Sequence, residues 1–143
     1  MTSLVWEDIF NTGVETMDVQ HRKIFDCMDA IYHALADNQQ KCDPLDGMLD
    51  QLELLCQMHF LNEQQLMDDT NYPSASEHKH IHDLFLASID QFKIVSSECH
   101  TTNLLDAFLK LKEDFITHML NESTTLGAFI KAGPIEDAAV TAL

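Results

Sequence analysis

Five histidines and two glutamates in this chain stand where metal chemistry is possible: His21, His59, Glu63, His78, His82, His118 and Glu122. Imidazole nitrogens suit iron, zinc or copper, and a carboxylate can bridge two ions. Three of the pairs, His59/Glu63, His78/His82 and His118/Glu122, are spaced i, i+4. On a helix that spacing puts both side chains on one face, so a pair can chelate a single ion. Seven donors exceed what one tetrahedral zinc uses, and two metals side by side is the natural count. A lone histidine on an apolar face is usually a hydrogen-bonded core residue. Five of the eight histidines arriving together at ligand spacing call for another explanation. No role is expected for the other three. His80 falls between His78 and His82 and points off their face, while His33 and His100 lie off the apolar stripes or in a loop.

Donors spread this widely need rigid elements to bring them together, and period 3.6 dominates the sequence. The first apolar stripe reads Met17, His21, Ile24, Met28, Ile31, Leu35 and ends near Asp37-Asn38. Asp43-Pro44 looks like an N-cap followed by proline at the first helical position. The second stripe is Leu45, Met48, Leu52, Cys56, His59, Glu63, Leu66, broken by Asn71-Tyr72-Pro73. Ser74-Ala75-Ser76-Glu77 fits a capping box and opens a third stripe: His78, Ile81/His82, Phe85, Ile89, Phe92. After a polar stretch from Ser96 to Thr102 comes the fourth: Leu104, Phe108, Leu111, Phe115, His118, Glu122. Gly127 and Gly133-Pro134 punctuate the tail. Four amphipathic segments of roughly 20 residues are each about 30 Å long and pack most simply as an antiparallel up-down four-helix bundle. The expectation is one all-α domain over residues 1–143. Residues 1–16 form an arm whose Trp6 and Phe10 cover one end, and the bundle spans about 17–130. Every helix then places at least one of the seven donors in the interior, where an unpaired charge costs several kcal/mol.

Composition narrows the function. The 143 residues carry 8 Lys+Arg against 24 Asp+Glu, a formal charge of −16. That surface repels phosphate backbones, so no nucleic-acid partner is expected. No apolar run approaches the ~20 residues of a membrane span, and MTSLVWEDIF does not read as a secretory signal. Cys27, Cys42, Cys56 and Cys99 are scattered and form no CxxC pair. Reduced thiols in a cytoplasm are the simplest reading, though some could pair. The seven methionines mostly fill helix faces.

The chain resembles the hemerythrin family, in particular its single-domain bacterial members. The resemblance runs over residues 6–129. It rests on Asp18-Val-Gln-His21, on His59-Phe60-xx-Glu63 leading to Leu66-Met67 and Tyr72-Pro73, on His78-xxx-His82, and on His118 in the last helix. It implies a non-haem centre of two iron ions, oxo- or hydroxo-bridged when oxidised. His78, His82 and His118 would hold one iron, His21 and His59 the other, and Glu63 would bridge them. The second iron would keep an open position for dioxygen as ligand, bound reversibly.

Two positions depart from the family pattern. The usual second bridging carboxylate is an Asp five residues after the last His, and here that position is Ser123. Glu122 shares the helical face of His118 and is the expected substitute. Four residues before His118 the family commonly has Trp, and this chain has Asp114, expected to be exposed or to sit behind the ligands. Met119 and Ser123 are also expected to border the pocket. A wetter pocket should speed autoxidation, and a missing bridge should weaken iron binding. The leading expectation is dioxygen binding for carriage, storage or sensing, without enzyme activity. The alternatives are a di-iron peroxidase or oxidase and an iron- or redox-sensing regulatory module.

Overall fold

The computed structural model describes residues 6–37, 45–97 and 104–133. A short 3-10 turn at Asp8–Phe10 precedes α1 (Glu15–Asp37), α2 (Leu45–Thr70) and α3 (Ala75–Ser97). The fourth rod is built from three consecutive pieces: α4 (Leu104–His118), a π-helical segment (Met119–Ser123) and α5 (Thr124–Ala132). Among the described residues there is no strand. Successive rods run antiparallel. Gln20 of α1 lies opposite His59 of α2, and Cys27 opposite Met48. Glu63 of α2 faces His78 of α3, and Glu53 faces Lys93. His78 and Phe92 of α3 meet His118 and Phe108 of α4. With α1 also packed on α4, the rods close into a four-helix bundle.

The ends of the helices follow from local chemistry. Asn71 takes a left-handed conformation at φ 53°. Tyr72 N–H bonds back to Met67 C=O, and Asn71 N–H to Asp68 C=O. That is the Schellman arrangement, which satisfies carbonyls a helix end would leave open. The third helix begins directly after Ser74, where the capping sequence put it. Gly133, at φ 73°, ends α5 with its N–H on Ile130 C=O. Gly127 does not punctuate the chain as expected. It is buried inside α5, where a Cβ would lie 2.5 Å from the carbonyl oxygen of Thr12. The glycine there permits close packing of the arm. Asp43-Pro44 falls outside the described residues.

Asp18 anchors that arm. Its carboxylate accepts bonds from Thr12 N–H, Thr12 Oγ1 and Gly13 N–H. Trp6 stacks edgewise on Phe10 and Phe25, with the Arg22 guanidinium 5.1 Å from its ring centre.

The core is divided. One large apolar cluster, including Ile31, Leu49, Ile89, Phe92 and Phe108, fills one half of the bundle and continues to Phe60, Phe85, Phe115 and Met119. A small separate cluster of Met17, Met67 and Leu126 closes the other end. In α2 it is Met67 that is fully buried, while Leu66 is half-exposed, one position off the expected stripe.

Candidate metal centre

Between the two apolar clusters lies a layer of buried polar side chains. His21 comes from α1, His59 and Glu63 from α2, His78 and His82 from α3, and His118 from the end of α4. None is more than 3% exposed. Their donor atoms form two groups, each with all atoms within 4.8 Å of one another. Glu63, His78, His82 and His118 make one, and His21, His59 and Glu63 the other. Glu63 belongs to both, and its two oxygens divide between them. Oε1 lies 2.7 Å from His78 Nε2, 3.0 Å from His82 Nε2 and 3.8 Å from His118 Nε2. Oε2 lies 2.5 Å from His59 Nε2 and 3.4 Å from His21 Nε2. The i, i+4 spacing of His59 and Glu63 accounts for the first of these Oε2 contacts.

Protein groups alone do not satisfy this layer. Both ring nitrogens of His21, Nε2 of His59 and Nδ1 of His118 are buried without a hydrogen-bond partner. The His59 contact to Glu63 is short but lacks hydrogen-bond alignment. A buried polar atom left this way costs about 1–3 kcal/mol. Inward-facing imidazole lone pairs converging on a shared carboxylate fit borderline divalent cations. The donor set therefore suits the paired metals that the sequence implies.

The electrostatics agree. Burial pushes His21 and His82 down to about 4, only partly offset by Glu63, so both rings are neutral and able to ligate. Burial alone would raise Glu63, but the imidazoles of His59, His118 and His21 crowded around it outweigh that effect and hold it well below the carboxylate range. His118 is the exception. Burial lowers it, yet Glu122 and Glu63 outweigh that effect and raise it to about 9.

The two positions after His118 are arranged differently from a plain α-helix. An α-helical period brings Glu122 onto the His118 face, but residues 119–123 form a π turn. The wider turn brings the fifth residue around instead. Ser123 is accordingly fully buried, with Oγ 3.4 Å from Glu63 Oε2 and 3.3 Å from His118 Nε2. Glu122 lies outside both donor groups and is 27% exposed, with Oε1 3.4 Å from Nδ1 of His118, the far side of the ring. Thr124 and Thr125 bond their hydroxyls to the carbonyls of Leu120 and Asn121, back-bonding of the kind that distorts helices.

Asp114 sits at the rim of a groove of about 270 Å³ between α3 and α4 that reaches His118 and Glu122. Its side chain is 41% exposed and paired with Lys110. Met119 is fully buried in the large core cluster. His80 is exposed as expected, His33 is exposed beside Asp29, and His100 lies outside the described residues. Cys27 and Cys56 are free thiols away from the donor groups, and Cys42 and Cys99 are not among the described residues.

One residue at the site was not singled out from the sequence. Gln20 Oε1 accepts from His59 Nδ1 at 2.6 Å and from Asn62 Nδ2 at 3.1 Å. A bond at Nδ1 leaves the Nε2 lone pair for a metal. The signal was its place beside His21, one turn's edge away from the stripe.

Comparison with known proteins gives a consistent result. The family model described as hemerythrin HHE cation binding domain matches residues 12–130. The bacteriohemerythrin of Stenotrophomonas maltophilia is 28% identical over 94 residues, 66% of this chain and 60% of that protein. That of Clostridium acetobutylicum is 26% identical over 121 residues, covering 82% of this chain and 90% of the relative. The hemerythrin of Phascolopsis gouldii is 34% identical over 89 residues, 62% of this chain and 70% of that one. The chain thus spans about 60% of the length of the Stenotrophomonas and Pseudomonas relatives it matches.

Proposed function

The chain belongs to the hemerythrin family, and from that premise we propose that it is a non-haem di-iron protein that binds dioxygen rather than an enzyme. His78, His82 and His118 would hold one iron, His21 and His59 the other, and Glu63 would bridge them. The division of the two Glu63 oxygens between the two histidine groups is the observation that carries this reading. The iron pair, when bound, supplies two electrons and an open coordination position for dioxygen.

The protein's own residues do the rest. Gln20 orients His59. Glu122, expected from the sequence as a ligand, lies 3.4 Å from the outer nitrogen of His118 and outside both donor groups, a placement that supports reading it as a charge beside that ring rather than a bridge. The stacked ring of Phe60 on His82, with Phe85 and Phe115 beyond it, keeps water from one side. Met17, Met67 and Leu126 do so from the other. Dry surroundings disfavour loss of charged oxygen species and so favour reversible binding.

The test is an iron count and an optical spectrum of the anaerobically reconstituted protein, before and after air. About two irons per chain and a persistent oxygenated spectrum are expected. Zinc alone, or no metal, would overturn the reading. Immediate ferric product with turnover of a reductant would replace binding by peroxidase or oxidase chemistry.

A further inference from the structure

The outer face of α2 differs from the faces around it. Between residues 54 and 67 its only ionisable side chains are Cys56, His59 and Glu63, all fully buried. What meets solvent there is Leu54, Met58 and Leu61, at 56%, 57% and 71% exposure, with Gln57 and Gln65 beside them. Steps of four and three put the three apolar side chains on one line along the helix. The chain carries −16, and the other rods expose charge: Lys23 and Asp26 on α1, Asp83 and Asp90 on α3, Asp106 and Glu113 on α4. Single exposed apolar residues are ordinary. A line of them on a stretch free of exposed charge marks an interaction surface.

We propose that this face binds a second copy of the chain, with the two α2 helices antiparallel across a two-fold axis near Gln57 and Met58. Charge selects both the partner and the direction. Two chains of −16 repel each other, so they meet at least cost where neither presents a charge. A basic partner would find nothing on this face to hold it and would be drawn to the acidic faces instead. Around the proposed axis Leu54 of one copy lies opposite Leu61 of the other. At the ends of the face Asp50 falls opposite Gln65, and Asp68 opposite Gly47, so no carboxylates confront each other. A parallel pairing would set Asp50 against Asp50 and Asp68 against Asp68. The same patch serves both copies, as a closed two-fold contact requires.

The size of the face sets the strength. α2 has 26 residues, so it is about 39 Å long, and a strip about 10 Å wide along it covers about 400 Å². A standard stable interface takes about 800 Å² from each partner. Grooves on both flanks extend the apolar surface, with Met48 and Leu55 lining the one beside α1, and Phe60, Leu61 and Leu86 the one beside α3. The dimer is therefore weak and reversible, half-formed at roughly 0.1 mM chain. Leu54, Met58 and Leu61 belong to neither donor group, so the inference does not depend on the metal centre.

Sedimentation of the full chain tests this, from about 0.01 to 1 mM protein, in about 20 and 500 mM NaCl. A monomer–dimer equilibrium is expected that tightens severalfold at the higher salt. Screening removes the long-range repulsion and leaves an uncharged contact untouched. Leu54→Lys and Leu61→Glu should each weaken association severalfold or more. Combined in one chain they should restore much of it, because the two-fold sets position 54 of one copy against position 61 of the other. Leu84→Glu, exposed on the α3–α4 side, should leave association unchanged at 500 mM NaCl. All these positions are exposed, so the variants should keep the helical fold, which circular dichroism checks. A monomer at every concentration and both salts would overturn the inference. So would a dimer indifferent to both single α2 variants, one that loosens as salt rises, or one that Leu84→Glu weakens as much. A combined variant no better than its parents would overturn it as well, by removing the antiparallel register.

Discussion

Replacing Gln20 by Leu should impair one metal position and spare the other. Gln20 Oε1 is the acceptor that fixes His59, 2.6 Å from its Nδ1. Leucine is close in size but accepts nothing. His59 is fully buried, so its Nδ1–H would lose its partner without gaining water. An unsatisfied buried donor costs about 1–3 kcal/mol, and loss of a support behind a metal-binding histidine typically weakens binding about 10- to 100-fold. The ring can also avoid the cost by moving its proton to Nε2, which removes the lone pair aimed at Glu63. Either response falls on His59, which belongs only to the His21/His59/Glu63 group. Competition titration of the apo-protein with Co²⁺ against a chelating dye should therefore show one affinity lowered about 10- to 100-fold, with the other near its original value. Two unchanged affinities, or an equal fall in both, would refute the reasoning that assigns Gln20 to one position.

Glu122→Gln should act on the other group, because Glu122 faces the outer nitrogen of His118. A loss of up to about tenfold in that ion's affinity, read by the same titration, is expected, together with a lower His118 pKa by NMR. Gly127→Ala should destabilise the fold by about 1–3 kcal/mol, since its Cβ would lie 2.5 Å from Thr12 O; urea unfolding measures this, and an unchanged midpoint would refute it. The metal-free protein should be most stable slightly above pH 6.5. His21 and His82, lowered by burial to about 4, take up protons more readily when unfolded, so stability falls as the pH drops from 6.5 toward 4. Glu63, held low, adds to that loss once the pH falls below its ordinary value of 4.5. The contribution of His118 has the opposite sign: full below 6.5, it is lost as the pH rises through about 9. Denaturant melts across this range check both limbs.

Much of the arrangement was legible because it depends on the helical period alone. Met17 to Leu35, Leu104 to Phe115 and the inward histidines fall on single faces, and the structure buries those faces. The period is a poorer guide where the backbone leaves it. Setting Glu122 on the inward face of His118 assumed 3.6 residues per turn across a segment that winds as a π-helix and turns Ser123 inward. The sequence marks such a segment only faintly, through Thr124 and Thr125 bonding backward. Gly127 was misread for a related reason. A glycine inside a helix looks like a break until the arm pressed against it is known. Gln20 was overlooked because its work lies across the α1–α2 interface, in a bond to a residue 39 positions away that no local pattern encodes.

The partition of the core has a consequence for the order of events in the life of the molecule. The histidine layer lies between the two apolar clusters, and the larger cluster, with Ile31, Leu49, Phe92 and Phe108, contributes no member to either donor group. An apolar half of this size gives the chain a packed core that does not depend on the polar layer, so emptying or filling the proposed metal positions is expected to shift stability without setting whether the bundle forms.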